Sequence, residues 1–175
     1  MAPAFFGLNS NGATVSLAEL RGKLVVLEWT NDGCPFVRKW YSVGAMQELQ
    51  KEAGERSAVW ISVISSPPGM QGYADGARAN ALSRERGASP AHVVLDPTGA
   101  IGKLYAAAVT PTIAIIKPDG TLGYLGGADS IASTRSEDLP KAEPYARDAL
   151  RALADGKLVA KPVTRAYGCV IHYSN

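Results

Sequence analysis

Cys34 is the residue of this chain whose type and setting best suit redox chemistry. It follows an apolar run and a polar, Gly-containing turn, and it precedes Pro35 and an amphipathic segment. This pattern predicts a strand, a tight turn and a helix that begins at Cys34. The positive end of the helix dipole and the unpaired N–H groups of the first turn would stabilise a thiolate. Because the thiolate is the reactive form of cysteine, we expect a nucleophile of lowered pKa that reagents can reach in the reduced protein.

Two other interpretations concern the same helix. Cys34 is alternatively a buried structural thiol, which is the common state of free cysteines. Arg38, one helical turn after Cys34, is expected on the same side of the helix, where it would add positive potential. The alternative for Arg38 is a solvated surface charge.

A second cysteine lies in the C-terminal tail. Cys169 follows Gly168, and His172 comes three residues later. Cys169 is either a free thiol packed under the tail or a partner that folds back over the Cys34 loop. Cys34, Cys169 and His172 together would also offer a ligand set suited to Cu(I) or zinc.

Other candidate site residues lie in or beside predicted strands. Glu28 interrupts an apolar run, and it is either a buried proton relay of raised pKa or an acid paired with Lys23 or another cation. Trp29 is expected in the core or as a wall of the site. Pro111, which follows Thr110, immediately precedes another apolar strand.

The composition describes an ordinary globular protein. The chain has 175 residues, of which 46% are hydrophobic and 19% charged, and its formal net charge is +2. These values predict one domain over 1–175, in which 161–175 form a tail that packs near the Cys34 loop. They argue against disorder and nucleic-acid binding, and no apolar stretch is long enough to insert into a membrane. We expect no cofactor.

Predicted strands alternate with predicted helices and then end in a hairpin. The hairpin turn is Lys117-Pro118-Asp119-Gly120. This order predicts an α/β fold in which helices flank a mixed central sheet, with an N-terminal hairpin and the Cys34 loop at the carboxyl edge of a parallel strand. The predicted strands are 5–8, 14–16, 23–30, 58–64, 92–96, 112–116 and 122–125. The predicted helices are 16–20, 35–53, 73–86, 101–107 and 140–153, with a polar loop over 126–139.

These motifs resemble a known family. The order of a strand, Cys34-Pro35 and a helix, followed by Thr110-Pro111-Thr112 and the hairpin, resembles the thioredoxin fold. The opening segments 2–5 and 16–23 resemble the peroxiredoxin and alkyl hydroperoxide reductase (AhpC/TSA) superfamily and its cytochrome-maturation relatives. Cys34-Pro35-Phe36-Val37, with the tail motif Tyr167-Gly168-Cys169, is similar to a peroxiredoxin-like group of bacterial redoxins, many of them exported.

The resemblance implies a thiol–disulfide oxidoreductase. Cys34 would attack a protein or small-molecule disulfide, Cys169 would resolve the mixed disulfide, and an external thiol reductant would reopen the product. Glu28 would relay a proton. The substrate would contact Trp29, Arg38, Thr110 and Pro111, with the Thr110–Pro111 bond in the cis form. Export to the periplasm is implied too, although no signal peptide is present in the sequence, and a cytoplasmic location is the alternative.

Departures from the family patterns keep other functions open. Val37 stands where thioredoxins have their second cysteine, so no disulfide can form within the Cys34 loop. Asn31 and Leu27 stand where peroxiredoxins have the Thr and Pro of their motif, and Thr30 is one residue out of register. A thiol peroxidase is the first alternative function. A Cu(I)- or zinc-binding redoxin is the second, and a binding module with one permanent disulfide is the third.

Overall fold

A seven-stranded mixed sheet forms the centre of the structure, a computed structural model that describes residues 1–174. The spatial order of its strands is β2-β1-β5-β4-β3-β7-β8. The strands β3, β4 and β5 are parallel, and their neighbours β1 and β7 run antiparallel to them. The predicted α/β class with a mixed central sheet is therefore confirmed. The bounds are β1 (Phe6–Asn9), β2 (Thr14–Ser16), β3 (Val25–Trp29), β4 (Val59–Ile64), β5 (His92–Leu95), β6 (Val109–Thr110), β7 (Thr112–Ile116), β8 (Leu122–Gly126) and β9 (Cys169–Val170).

Helices cover both faces of this sheet. Val26 of β3 packs with α1, α2 and α5 in one core cluster, whereas Val25 and Leu27 pack with α4 and the N-terminal segment in another. This division follows from the alternation of side chains along a strand. The helices are α1 (Pro35–Tyr41), α2 (Ala45–Glu55), α3 (Gly76–Glu85), α4 (Ala100–Leu104) and α5 (Tyr145–Ala154), with 3₁₀ helices at Leu17–Leu20 and Ser136–Lys141.

The central strand β3 delivers the chain to the Cys34 loop. All five of its residues are buried, as expected for a strand with a neighbour on each side and helices on both faces. β3 ends at Trp29, and a four-residue turn leads to Cys34, which caps the N-terminus of α1. The predicted strand, turn and helix are thus present around Cys34.

The single helix predicted over 35–53 is wrong. It is divided into α1 and α2 at Gly44, whose φ of 74° lies in the left-handed region. Glycine adopts this conformation without a Cβ clash, which is why it commonly ends helices. The apolar spacing continues across the break, since Tyr41 and Met46 are buried on either side of it. The periodicity therefore gave no sign of the interruption.

Two other helix boundaries differ from the predictions. The helix predicted over 73–86 begins only after Asp75, whose carboxylate accepts a hydrogen bond from the Arg78 N–H at 2.8 Å. The helix predicted over 140–153 begins at Tyr145, because Pro140 lies in a separate 3₁₀ helix that extends into the predicted polar loop. Pro140 lacks the N–H that a continuous α-helix would need.

The C-terminal tail contains a short strand that the sequence analysis did not predict. Cys169–Val170 form β9, which pairs antiparallel with β6 in a separate two-stranded sheet. Asn175, the last residue of the predicted tail, lies outside the described residues. Within residues 1–174, no helix is both long and apolar enough to cross a membrane.

Candidate active site

Cys34 lies where β3, α1 and the tail meet. It is the N-cap residue of α1, and its side chain has no exposed surface. Its sulfur lies 3.4 Å from the carbonyl oxygen of Thr110, to which the protonated thiol donates. The Cys169 thiol donates a hydrogen bond to the same sulfur. The two cysteines are therefore side by side in the reduced protein.

The surroundings of Cys34 favour its thiolate. Burial raises the pKa of the Cys34 thiol, but hydrogen bonds from the Cys169 side chain, from Thr110 and from the N–H groups of Val37 and Cys169 outweigh that effect and lower the pKa below its ordinary value. The Thr110 hydroxyl is buried, and within residues 1–174 no atom lies in ordinary hydrogen-bond geometry to it. The first turn of α1 contributes through the Val37 N–H, as the N-cap position requires.

The surroundings of Cys169 have the opposite effect and disfavour its thiolate. Burial, together with the hydrogen bond to Cys34 and the charge of that sulfur, raises the pKa of Cys169 to about 12. Of the two thiols, Cys34 is therefore the one that loses its proton more readily, and Cys169 is the one that keeps it. This division suits a nucleophile and a second cysteine that acts after it.

The peptide bond between Thr110 and Pro111 is cis, in agreement with the resemblance. Thr110 is paired in register with Cys169, and Val109 with Val170. Gly168 lies so close to this pair that a Cβ there would stand 1.7 Å from the Thr110 carbonyl oxygen. The short β6–β9 pairing and this glycine together fix the position of Cys169.

The burial of Cys34 corrects one expectation. We expected a thiol that reagents reach in the reduced protein, but the side chain is 0% exposed. Cys169, which is partly exposed, lies against it, and the tail residues on either side lie over the loop. The tail was expected near the Cys34 loop, but its strand β9 was not, since the tail has no strand-like pattern. A substrate reaches Cys34 only after Cys169 or the tail moves.

A buried polar network fastens the tail to α1. The Lys39 ammonium, which has no exposed surface, lies 3.4 Å from the Asp129 carboxylate and donates to the Tyr167 hydroxyl at 2.8 Å. Asp129 also accepts from the Trp40 Nε1 at 3.0 Å and from the Tyr167 hydroxyl at 2.5 Å. The Tyr167 ring packs edge-on against Phe36 at 5.6 Å between centroids. Tyr167 is thus fixed two residues before Cys169.

This network was not predictable from the sequence. Lys39 is 90 residues from Asp129 and 128 from Tyr167, so no local pattern links them. Burial and the Asp129 carboxylate raise the pKa of Tyr167, so its hydroxyl keeps the proton that it donates. A charged lysine in a helix ordinarily indicates an exposed face.

Two more contacts hold the tail on either side of the network. The Thr164 hydroxyl accepts from the Gly127 N–H at 3.0 Å and lies 2.7 Å from the Tyr124 hydroxyl. Beyond Cys169, the Tyr173 hydroxyl donates to the Ala107 carbonyl oxygen. The Tyr173 ring packs directly on Gly99 and Gly102 at the start of α4. The tail is therefore anchored before and after β9.

Glu28 is fully buried on the sheet face that carries α1. Its carboxylate accepts hydrogen bonds from the Tyr41 hydroxyl at 2.7 Å, the Ser62 hydroxyl at 2.9 Å and the Trp60 Nε1 at 3.1 Å. Burial raises the pKa of Glu28 above its ordinary value, although Arg86 and these hydrogen bonds act in the opposite direction. Its hydrogen bonds thus join β3 to β4 and to the end of α1.

We expect Glu28→Gln to change how stability depends on pH. Because the pKa of Glu28 is raised on folding, the folded protein binds this proton more tightly, and stability is lost as pH rises from ~4.3, the ordinary value, through the folded pKa. Glutamine has no such proton. The free energy of unfolding of the wild type should therefore fall relative to that of Glu28→Gln as pH rises, as measured by urea denaturation.

Glu52 offers a control of opposite sign. A hydrogen bond from Arg151 lowers the pKa of Glu52. Its contribution to stability is present above the unfolded pKa and is lost as pH falls through the folded pKa. The wild type should thus gain stability relative to Glu52→Gln as pH rises toward ~4.3. Parallel pH profiles for the wild type and Glu28→Gln would contradict the raised pKa of Glu28.

The other predicted site residues lie in different surroundings. Trp29 is completely buried in the core cluster of the opposite sheet face, where it packs against Tyr105, so the expectation that it walls the site is wrong. Arg38 is exposed and donates to the Asp32 carbonyl oxygen at 2.8 Å.

His172 is also exposed, and residues 1–174 contain no group of three metal-ligating side chains. The structure does not bring His172 and the two cysteines together as a ligand set.

A cavity of about 310 Å³ opens beside Cys169. Asn31, at the position of the peroxiredoxin threonine, lies in its wall, and the Asn31 Oδ1 is already used by the Gly33 N–H at 2.8 Å. The remaining lining residues come from the segment after β4 and from the tail. They are Ser66, Pro67, Met70, Gln71, Thr110, Cys169, Val170, Ile171 and His172. This cavity is lined both by Cys169 and by Thr110, whose carbonyl oxygen accepts from the Cys34 thiol.

Solved structures share this architecture. An uncharacterized conserved protein from Geobacillus kaustophilus has a TM-score of 0.84 at 23% identity, covering 99% of this chain and 90% of that one. A secreted Mycobacterium tuberculosis disulfide oxidoreductase homologous to E. coli DsbE has a TM-score of 0.54 at 20% identity, with 67% and 79% covered. An exposed lipoprotein thioredoxin from Streptococcus pneumoniae has a TM-score of 0.54 at 25% identity, with 75% and 93% covered. The fold is therefore thioredoxin-like, as predicted.

Sequence comparison assigns the family. No curated protein matches the chain. Residues 1–125, which include the Cys34 loop and the cis proline, match the model of the AhpC/TSA family. Cys169 and its tail lie beyond the matched residues. Because the match spans well over half of its length, the chain belongs to the AhpC/TSA family.

Proposed function

We propose that this protein is a thiol–disulfide oxidoreductase in which Cys34 is the nucleophile and Cys169 the resolving cysteine. The observation that carries the proposal is the hydrogen-bonded cysteine pair, whose two pKa values shift in opposite directions. A lowered pKa increases the thiolate fraction of Cys34, and adjacency makes Cys169 the group that attacks next.

The reaction balances in two exchanges. The Cys34 thiolate attacks one sulfur of a substrate disulfide, and the other substrate sulfur leaves as a thiolate. Cys169 then gives up its proton to that thiolate or to water and attacks the Cys34 sulfur, which releases the second substrate thiol. The substrate gains two electrons, and Cys34 and Cys169 become a disulfide. An external thiol reductant returns the pair to the reduced state.

Other residues position this pair. The Thr110 carbonyl oxygen accepts from the Cys34 thiol, Thr110 pairs with Cys169, and cis Pro111 follows it. Glu28 forms its hydrogen bonds with Tyr41, Trp60 and Ser62, so we propose that it orders the end of α1. Arg38 is exposed and binds the Asp32 carbonyl oxygen within the Cys34 loop.

Disulfide trapping tests the proposal. Oxidation of the wild type with a small excess of a disulfide should yield a protein 2 Da lighter, whose peptide map joins Cys34 to Cys169 (the loss of two hydrogens). Cys169→Ser should stop at a mixed disulfide on Cys34, and Cys34→Ser should form neither product at a comparable rate. The Ser variants are matched, since each removes only one sulfur. A mixed disulfide that accumulates on Cys169 in the wild type would overturn the assigned order.

Peroxide reduction is a second candidate, favoured by membership of the AhpC/TSA family. Cys34 would reduce the peroxide and become a sulfenic acid, which Cys169 would convert to the same disulfide with loss of water. Asn31, whose Oδ1 is occupied by Gly33, replaces the threonine of the peroxiredoxin motif. The rates at which hydrogen peroxide and a disulfide oxidise the reduced protein distinguish the two candidates.

We further propose that the protein acts outside the cytoplasm. Support comes from the neighbours in structure, one of which is described as secreted and another as an exposed lipoprotein. Fractionation of the native host, with antibody detection in the periplasmic and cytoplasmic extracts, tests the location.

A further inference from the structure

We propose that the cysteine pair reacts with small, polar, single-amino-acid disulfides such as cystine, and that the tail excludes disulfides held in extended polypeptides. The proposal rests on the proposed function and adds the substrate class. It follows from three observations: the backbone edge beside Cys34 is occupied, the tail is anchored before and after β9, and the cavity that Cys169 itself lines is small.

The occupied edge is the first observation. Extended peptides commonly bind a protein by adding a strand to a free sheet edge, where backbone hydrogen bonds hold them. The edge nearest to Cys34 is Thr110, and Cys169 is paired with it. The tail continues along the same edge, where the Ile171 N–H donates to the Ala108 carbonyl oxygen at 2.9 Å. An incoming peptide would find these backbone groups in use.

The anchored tail is the second observation. Tyr167 is held by the buried Lys39 and Asp129, and Tyr173 by the Ala107 carbonyl oxygen and the two glycines beneath its ring. Removing β9 from the edge would break these contacts together with the pairing. A movement confined to the Cys169 side chain would break none of these contacts and would leave the β6–β9 pairing in place. The small movement is therefore the favoured route to Cys34.

The size and lining of the cavity are the third observation. Its volume of about 310 Å³ lies at the lower end of the ~300–1,000 Å³ range of small-molecule sites. Asn31, Ser66 and Gln71 provide uncharged polar groups in the wall, and Cys169 forms the side nearest Cys34. Amide and hydroxyl groups suit the ammonium and carboxylate of an amino acid, so a polar disulfide such as cystine fits this lining.

Two matched disulfides test the proposal. Reduced wild-type protein is mixed with cystine, or with the disulfide-linked dimer of an eight-residue extended peptide that has one central cysteine. Formation of the Cys34–Cys169 disulfide is followed by intact mass, and each rate is divided by the rate at which dithiothreitol reduces the same compound. We expect the normalised rate with cystine to exceed that with the peptide dimer by about tenfold or more.

Substitutions of Tyr173 test whether the tail causes the preference for cystine over the peptide dimer. Tyr173→Ala removes the ring from the glycines beyond β9, and Tyr173→Phe removes only the hydroxyl that binds Ala107. In Tyr173→Ala the peptide dimer should react faster while the rate with cystine stays within about twofold, so that the preference falls. Tyr173→Phe should lie between Tyr173→Ala and the wild type. Leu158→Ala, at a residue that is 95% exposed, serves as the control and should keep the wild-type preference.

The outcomes separate the two proposals. An equal or faster normalised rate with the peptide dimer in the wild type would overturn the substrate class and leave the oxidoreductase function intact. A preference for cystine that is unchanged in both Tyr173 variants would overturn the excluding role of the tail. If neither disulfide converts Cys34 and Cys169 into a pair, the proposed function itself fails, and the substrate class fails with it.

Discussion

Asp129→Ala is expected to lower the free energy of unfolding by about 3–5 kcal/mol, because it leaves a buried ammonium without its carboxylate. The Lys39 and Asp129 side chains are 0% and 1% exposed, so water cannot replace the lost partner without a rearrangement. The hydrogen bonds that Asp129 accepts from Trp40 and Tyr167 are lost as well. Urea denaturation followed by tryptophan fluorescence measures the effect.

Two further variants test whether the loss of stability in Asp129→Ala arises from the burial of the two charges. Glu52→Ala removes the acid of an exposed pair with Arg151, and its effect should stay below about 1 kcal/mol. The double variant Lys39→Met, Asp129→Leu removes both buried charges and should recover much of the stability lost in Asp129→Ala. If Asp129→Ala costs no more than Glu52→Ala, the network does not hold the tail as described.

Gly168→Ala is expected to slow closure of the Cys34–Cys169 disulfide by about 100-fold, the effect of moving reacting groups by ~1 Å. The added Cβ would stand 1.7 Å from the Thr110 carbonyl oxygen, and the φ of 153° also favours glycine. The β6–β9 pairing must then separate, which moves Cys169 away from Cys34. Stopped-flow oxidation with mass detection measures closure, and alkylation by iodoacetamide measures the exposure of Cys34, which should increase.

Gly156→Ala is the control for this substitution. Gly156 also has a positive φ, of 69°, but a Cβ there would meet no atom within 4 Å. Backbone strain alone should therefore reduce stability slightly and leave disulfide closure unchanged. Closure at the wild-type rate in Gly168→Ala would show that the β6–β9 contact does not set the position of Cys169.

The parts of the fold that were predictable from sequence depend on local patterns. The apolar β3, the turn and Cys34-Pro35 lie within one short segment, and so does the hairpin turn that ends in Asp119-Gly120. The break at Gly44 was not predictable, because apolar residues continue at helical spacing on both sides of it. A glycine within a helix-like pattern is compatible with either outcome.

The parts of the site that were not predictable depend on contacts between distant residues. Lys39, Asp129 and Tyr167 come from three separate segments, and each alone looks like a surface residue. Trp29 was placed at the site by analogy, but its position in β3 directs it to the other face of the sheet. The association of Cys169 with Cys34 was expected from the family resemblance, whereas the pairing of β9 with β6 that fixes it was not.

The hydrogen bonds around Cys34 also influence the equilibrium between the reduced cysteine pair and its disulfide. They act on a negative sulfur, and a disulfide has no such charge, so they stabilise the dithiol form relative to the oxidised form. Because stabilising the reduced form makes a disulfide a stronger oxidant, the Cys34–Cys169 disulfide accepts electrons more readily. Since one of these donors is Cys169, the segment that conceals the sulfur also raises the oxidising power of the bond it would form.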